Sequence, residues 1–467
     1  MIRKHIFPLL LVLIVPIVLN SCFDDDDSTE VDDHCYISSF SLGTLRRTLY
    51  TLSSENKDSA YSTTFAGSLF PMTINQRNLT IENMDSLPIR TRVSAVLASV
   101  AFQGSLSWRK ANLSGIMDTV WTAYSSSDSI DFSDPLHFSV IANDGRSHRI
   151  YTVKVNVHQQ KPDSTTWDAL GEVEALAGMK ERKAISWNGL LVVLAENAEG
   201  SLTYIQHPLA KAGEWVSIPT IGTSGALVST LQQQGNSLYV STSSGQVLQS
   251  TNGVDWTPAS YPTEEGLLLV GSSDLRLYAL LNKKLVSSDG DEWTEESLDD
   301  EATKLPDTQI TSTYYTLPNG QHRLMLIGAT SDETMAHAWA KTWNDMQEES
   351  ETWMYYVPNR ADKYSLSVRE DMNIQPYDDG LIAFGGASRD GKHAAMDSVL
   401  YSRDHGISWR SYEDDDMLLD AEMQAAGQQA QYIVSAVDDD NYLWVLLDDK
   451  AWRGRINRLG FLRQDPR

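Results

Sequence analysis

The stretch Tyr401-Ser402-Arg403-Asp404-His405-Gly406-Ile407-Ser408-Trp409, "YSRDHGISW", has two physical readings. Asp404 beside His405 has the residue types of a catalytic carboxylate and its base. The same letters also spell a turn. An Asp side chain accepts hydrogen bonds from backbone N–H groups just beyond it. Gly406 supplies a positive φ, and Trp409 can bury a large ring under the hairpin. Two more stretches decide between them: "VLQSTNGVDWT" from Val247 and "LVSSDGDEWTE" from Leu285. Each sets an apolar pair, a Ser, an Asp or Asn, a Gly and then a Trp before a polar strand. The repeating positions are Ser250, Asn252, Gly253 and Trp256; Ser287, Asp289, Gly290 and Trp293; and Ser402, Asp404, Gly406 and Trp409. Asn252 cannot act as a proton-transfer carboxylate, whereas its amide oxygen accepts hydrogen bonds as an Asp does. The turn reading therefore holds, and no catalytic role is assigned to Asp404. His405 occupies a variable slot and is expected on the turn surface.

The form Ser402, Asp404, Gly406, Trp409 resembles the Asp-box of sialidase-type repeats; the other two copies are one residue shorter between Asp or Asn and Gly. Weaker aromatic relatives stand at Trp215, Trp353 and Phe461. Successive landmarks are roughly 40–60 residues apart in strand-rich text, the spacing of four-stranded propeller blades. One unit reads as strands at 227–231, 237–241, 246–249 and 256–257. Another reads as strands at 380–386, 398–402 and 409–412, and a third at 432–435 and 442–446. The expected fold is all-β: an N-terminal Ig-like β-sandwich, then a β-propeller of about six four-stranded blades, with seven left open. "TTWDALGEV" from Thr165 precedes the first unit. As an outer strand it can complete the last blade, join the two chain ends and leave no open edge. "MLLDAEMQAAGQQ" from Met417 predicts a short helix between the last two blades.

Upstream, residues 36–158 alternate apolar and polar residues without helical periodicity. The clearest hairpin runs from Phe138 to Ala142, turns at Asn143-Asp144-Gly145 and returns from Tyr151 to Val157. It resembles the last hairpin of Ig-like modules in Bacteroidota surface lipoproteins, with Trp108, Trp121 and Phe132 as candidate core residues. The polar segment 159–166 reads as a linker, and the propeller is expected over 167–467.

The N-terminus carries an address. Met1-Ile2-Arg3-Lys4 is followed by an apolar run broken by Pro8 and Pro16, too short and broken for a spanning helix. Residues 1–21 read as a signal peptide, and Leu19-Asn20-Ser21-Cys22 resembles a bacterial lipobox. The resemblance implies acylation of Cys22 and cleavage just before it, so the membrane partner is reached through a lipid at Cys22. Phe23 and Asp24 to Asp27 open an acidic tether over 22–35. This run resembles the surface-export signal of Bacteroidota lipoproteins; plain solvation of a tether is the alternative. The expected location is the outer membrane, exposed at the cell surface, with the periplasm-facing leaflet as the alternative. Of the two cysteines only Cys35 is then left, expected as a buried inert thiol, so no internal disulfide is expected.

The chain has 467 residues, 41% hydrophobic and 21% charged, and a formal net charge of −26. Its length points to more than one domain. Its charge argues against nucleic acid as a partner, because phosphates attract Lys and Arg. No HxxxH, HExxH or DxDxDG pattern occurs, so no metal and no cofactor is implied. The acidic runs at Asp289 and Glu413 read as solvated loops. Sialidases clamp a carboxylate with three Arg; Arg360, Arg369 and Arg389 stand in loops, and nothing in the sequence makes them converge. The whole pattern resembles an uncharacterised family of Bacteroidota surface lipoproteins. The resemblance bears on fold and location alone; a tethered rigid scaffold with no recognisable reactive constellation leads instead to a non-catalytic binding or scaffold module with a glycan or protein partner at the propeller face. A sialidase-like carbohydrate-active enzyme is the alternative.

Overall fold

The computed structural model describes residues 32–52, 58–111, 120–317, 319–344, 351–356, 364–412 and 419–461. The signal segment, Cys22 and the Asp24–Asp27 run lie outside the described residues, as do Arg360 and Met417. Two compact units divide at His158/Gln159.

The first unit is built from three sheets. A six-stranded sheet runs in the order Met72–Asn75, Thr80–Asn83, His148–Lys154, Leu136–Ile141, Ser105–Lys110, Thr122–Ala123. Thr80–Asn83 pairs with His148–Lys154 in parallel, and the remaining pairs are antiparallel. Three-stranded sheets are centred on Val96–Gln103 and on Thr44–Leu52. The hairpin predicted at 138–157 forms with Phe138 opposite Tyr151 and Leu136 opposite Val153. Asp144 shapes its turn by accepting from Arg146 N, Ser147 N and Ser147 Oγ at 2.8–2.9 Å. Val155 and Val157 lie beyond the strand yet pack on the core. Phe40, Phe132 and Phe138 form that core's aromatic centre, with Phe40 edge-on to both of the others. Trp108 is only partly buried, and Trp121 is outside the core, with Arg109 over its ring at 4.4 Å. The indole is better used as a cation platform there than as filling. Cys35 is a buried free thiol.

The second unit is made of six four-stranded antiparallel sheets, numbered I–VI here. Their first strands are Glu181–Trp187, Gln232–Gln234, Leu268–Ser272, Thr308–Thr316, Asn373–Tyr377 and Ile433–Val437. In sheets I to V four consecutive strands follow each other outward, as short connections between neighbours favour. Neighbouring first strands touch from sheet II round to VI, and sheet VI touches sheet I. Sheet I closes on sheet II partly through a 3-10 turn, Val228–Thr230. That turn occupies the 227–231 segment expected as a strand; Thr230 N and Leu231 N bond locally to Leu227 O and Val228 O, and the paired ladder starts at Gln232.

Sheet VI takes its outermost strand from the other end of the unit. Thr165–Glu172 pairs with Lys450–Ile456, reaching back into the segment expected as linker. The edge this would leave open is thereby paired. The helix Ala421–Gly427 lies between sheets V and VI, capped by Asp420, which accepts from Glu422 N and Met423 N.

Buried charge is paired. Lys341 Nζ, with no exposed side-chain surface, meets Glu296 Oε2 at 2.6 Å, and the same oxygen accepts from Trp353 Nε1 at 2.9 Å. Arg369, equally buried, pairs with Asp397 at 2.7 Å. No described helix is long and apolar enough to cross a membrane.

Candidate functional site

The three Ser–Asp/Asn–Gly–Trp stretches fall on the turns between the third and outermost strands of sheets V, II and III. At 402–409, Asp404 Oδ1 accepts from Ser402 Oγ (2.7 Å) and Ser408 N (2.8 Å), and Oδ2 accepts from Ser408 Oγ (2.6 Å). Burial pushes this carboxyl up, but the Ser408 and Ser402 hydrogen bonds outweigh it and hold the group below its ordinary value. Ser402 Oγ also accepts from Gly406 N, and the buried Trp409 indole donates to Gly406 O at 3.2 Å. At 250–256, Asn252 Oδ1 accepts from Ser250 Oγ, Val254 N and Asp255 N, and Trp256 Nε1 donates to Gly253 O. An amide oxygen thus stands where the carboxylate oxygen does.

The two glycines do more than bend the chain. Gly406 has φ +100 and Gly253 φ +78. A Cβ on Gly253 would overlap the Tyr204 ring of sheet I, and one on Gly406 would press on Ile327 of sheet IV. Each turn therefore docks on the preceding sheet. The stretch at Ser287 closes differently. Gly290 N donates to Ser288 Oγ, Trp293 Nε1 to Pro262 O, and Ser287 Oγ to Glu296 in the buried Lys341 cluster. Asp289 lies 3.6 Å from Arg276.

His405 departs from the surface position expected of it. Its ring stacks on Tyr315 at 4.6 Å, and Nδ1 is buried without a partner. Burial and Arg323 lower its pKa, so the ring sits there neutral as a packing group. Arg369 is locked in its buried pair, while Arg389 bonds Thr330 O, Glu333 O and Thr308 Oγ1. The structure does not bring these two to a common ligand position.

The groups that do converge were not among the residues singled out in the sequence. Where the first strands of sheets I, IV, V and VI meet the turn at Ser229, a cavity of about 440 Å³ opens. Sheets V and VI form one wall as an amide–hydroxyl ladder. Asn373 Nδ2 donates to Asp371 O and Ile433 O, and Asn373 Oδ1 accepts from Ser435 Oγ at 2.8 Å. Gln375 Nε2 donates to Ser435 O and Oγ. On sheet IV, Gln309 takes φ +52 at a bulge, accepts from Met372 N through its amide oxygen and lines the cavity.

The charged lining is Lys180, Glu181, Arg182 and Lys183 of sheet I's edge and Asp371 before sheet V. Arg182 is committed elsewhere, donating to Asp448 O and Met179 O with its guanidinium over Tyr432. Asp371 accepts from Ile433 N at 3.0 Å; burial raises its pKa against that bond and the nearby Arg182. Lys183 Nζ donates to Ser229 O at 3.1 Å. Lys183 is half-buried and its bond to Ser229 O is open to solvent, while its partial burial pushes its pKa down to about 8. A strand alternation can place a Lys on the innermost edge, but only ring closure shows that five segments face it. That is why sequence inspection missed it.

A closed ring of radially stacked antiparallel sheets, its first and last strands joined in one sheet, defines a β-propeller. The chain belongs to the DUF6242 family: residues 161–464 match the DUF6242 beta propeller domain, and residues 40–155 match the Domain of unknown function (DUF6242) N-terminal domain. No curated protein matches the chain. Among solved structures, it is similar to a DUF4623 family protein from Bacteroides eggerthii at 9% identity and TM-score 0.32, covering 90% of this chain and 98% of that one. It is similar to the GH93 alpha-L-arabinofuranosidase of Fusarium graminearum at 10% identity and TM-score 0.35, covering 59% and 92%. A third is YCF48 bound to D1 peptide, at 12% identity and TM-score 0.33, covering 64% and 96%.

Proposed function

We propose that this protein is a non-catalytic binding module, held at the outer membrane by a lipid on Cys22 and displayed at the cell surface. In this reading the N-terminal unit is an Ig-like module, and the second is a six-bladed propeller whose outer turns at Ser402 and Ser250 are Asp-boxes. The partner is a glycan or protein that reaches the propeller's central cavity and surrounding face. One observation carries the reading. The polar groups that converge in this fold do so at the ring's cavity, on a rigid amide–hydroxyl wall, while Asp404 and Asn252 are consumed inside outer turns. On that wall Gln375 Oε1 has no described partner, and an amide oxygen orients a hydroxyl-bearing ligand without supplying a nucleophile.

The sialidase-like reading needs convergent Arg, and Arg369 and Arg389 are instead spent on structural partners. It keeps one observation in its favour, the raised pKa of Asp371, which suits a general acid. The test is an array of bacterial and host glycans probed with the full chain, followed by assay of each bound glycan for released sugar. Binding without release is expected. Release that disappears in Asp371→Asn would establish the enzyme instead. For the anchor, labelled fatty acid should enter the native chain and not Cys22→Ser; equal labelling would refute the anchor.

A further inference from the structure

The ammonium of Lys183 stands out against the rest of the molecule. The fully buried cations Lys341 and Arg369 each have a carboxylate, Glu296 at 2.6 Å and Asp397 at 2.7 Å, whereas Lys183 is half-buried at a cavity wall. Lys183 has one described polar partner, a carbonyl oxygen, which leaves two of its three N–H donors to the cavity. A half-buried ammonium that lines a cavity with no carboxylate bonded to it is a ready counter-charge for an anionic ligand. Around it the lining carries three cations, Lys180, Arg182 and Lys183, against two acids, Glu181 and Asp371. That balance is positive in a chain whose net charge is −26. Burial also favours the neutral form of Asp371.

The remaining lining sets the shape of the ligand. Gln309 Nε2 and Thr311 Oγ1 have no described partner, nor does Gln375 Oε1, while Asn373 and Ser435 are held by each other. Free donors and acceptors on different sheets suit a molecule with several hydroxyls. A lone ammonium without an Arg fork or a helix N-terminus suits a single negative charge better than a dianion. A volume of about 440 Å³ admits one or two sugar rings.

We infer that this cavity binds a small hydroxyl-rich carboxylate of hexuronate type, with Lys183 as the counter-charge and Gln309, Thr311 and Gln375 orienting its hydroxyls. The inference rests on the binding-module reading and names the chemistry of that module's ligand.

Calorimetric titration of the full chain with D-glucuronate and with uncharged D-glucose tests it. At pH 7, glucuronate should bind at least tenfold more tightly than glucose. Lys183→Met should lose that preference while melting no lower than the native chain, and Lys183→Arg should retain most of it. The sign with pH follows from Lys183. The protonated form binds the carboxylate, so affinity should fall as pH rises through about 8, by roughly tenfold per unit above it. Lys180, Arg182, Glu181, Asp371 and Tyr432 share the lining, so the fall in affinity with pH should be absent in Lys183→Met. Equal affinity for the two sugars, or a preference for glucuronate that survives Lys183→Met, would overturn the inference. So would glucuronate failing to bind at millimolar concentration. The glycan array separates the outcomes: a neutral glycan bound there leaves the module standing and removes only its anionic ligand.

Discussion

Asp404 accepts three hydrogen bonds within its own turn, and its worth is that of a capping acceptor. Asp404→Asn keeps an amide oxygen at the same place, as Asn252 does natively, and should change the thermal midpoint little. Asp404→Ala strands the Ser408 N–H and should cost about 0.5–2 kcal/mol. Trp409→Ala empties a buried indole site and should cost about 3–5 kcal/mol. Binding should fall only as far as the folded fraction does. An Asp404→Asn chain of native melting temperature that no longer binds would mean this turn meets the ligand. Lys183 has the opposite signature. Its folded pKa lies below the unfolded value, so its cost to stability is fully present below about 8 and is relieved as pH rises toward the ordinary lysine value. Lys183→Met should therefore match or exceed native stability in urea melts at pH 7, with the gap closing near pH 10; a less stable variant at pH 7 would contradict it. The turn chemistry was legible in the sequence because every participant lies within eight residues. Lys183 was not, because its environment is made by segments up to 250 residues away.

At the scale of elements, two devices hold neighbouring sheets together. Turn glycines let the Ser402 and Ser250 turns rest on the sheet before them, so Gly406→Ala should cost about 1–3 kcal/mol from its backbone alone, and more from the Ile327 contact. The second device is the Glu296 carboxylate, which gathers Ser287 from sheet III and Lys341 and Trp353 from the neighbouring segments. Lys341→Met leaves Glu296 buried without its counter-charge and should cost about 3–5 kcal/mol; Lys341→Met with Glu296→Leu should recover much of that loss. If the double variant is as unstable as the single, the pair is held by something other than charge. Strand positions were readable within a residue or two at Gly380–Phe384, whereas the returning strand of the 138–157 hairpin, expected from Tyr151, starts three residues earlier at His148. The 227–231 segment misled because a run of Leu and Val looks alike in a strand and in a buried 3-10 turn. His405 misled because its slot in the motif carries no mark of the Tyr315 ring beneath it.

For the whole molecule, the ring is closed by a strand from before its first sheet. Thr165–Glu172 covers the edge of Lys450–Ile456, so deleting 165–172 should abolish the cooperative melt of the second unit and promote association through the bared edge. A truncated chain that melts like the native one would show that sheet VI stands without it. Closure is also what gathers separate polar residues round one axis, and so brings the inner edges of sheets I, IV, V and VI to one cavity. The central claim, that this cavity binds without reacting, is tested most directly by following one bound glycan over time in the presence of the full chain. The account predicts saturable binding that Lys183 and Gln375 substitutions weaken, with the glycan recovered intact after many dissociation half-lives. Recovery of cleaved sugar at a rate set by protein concentration would contradict it.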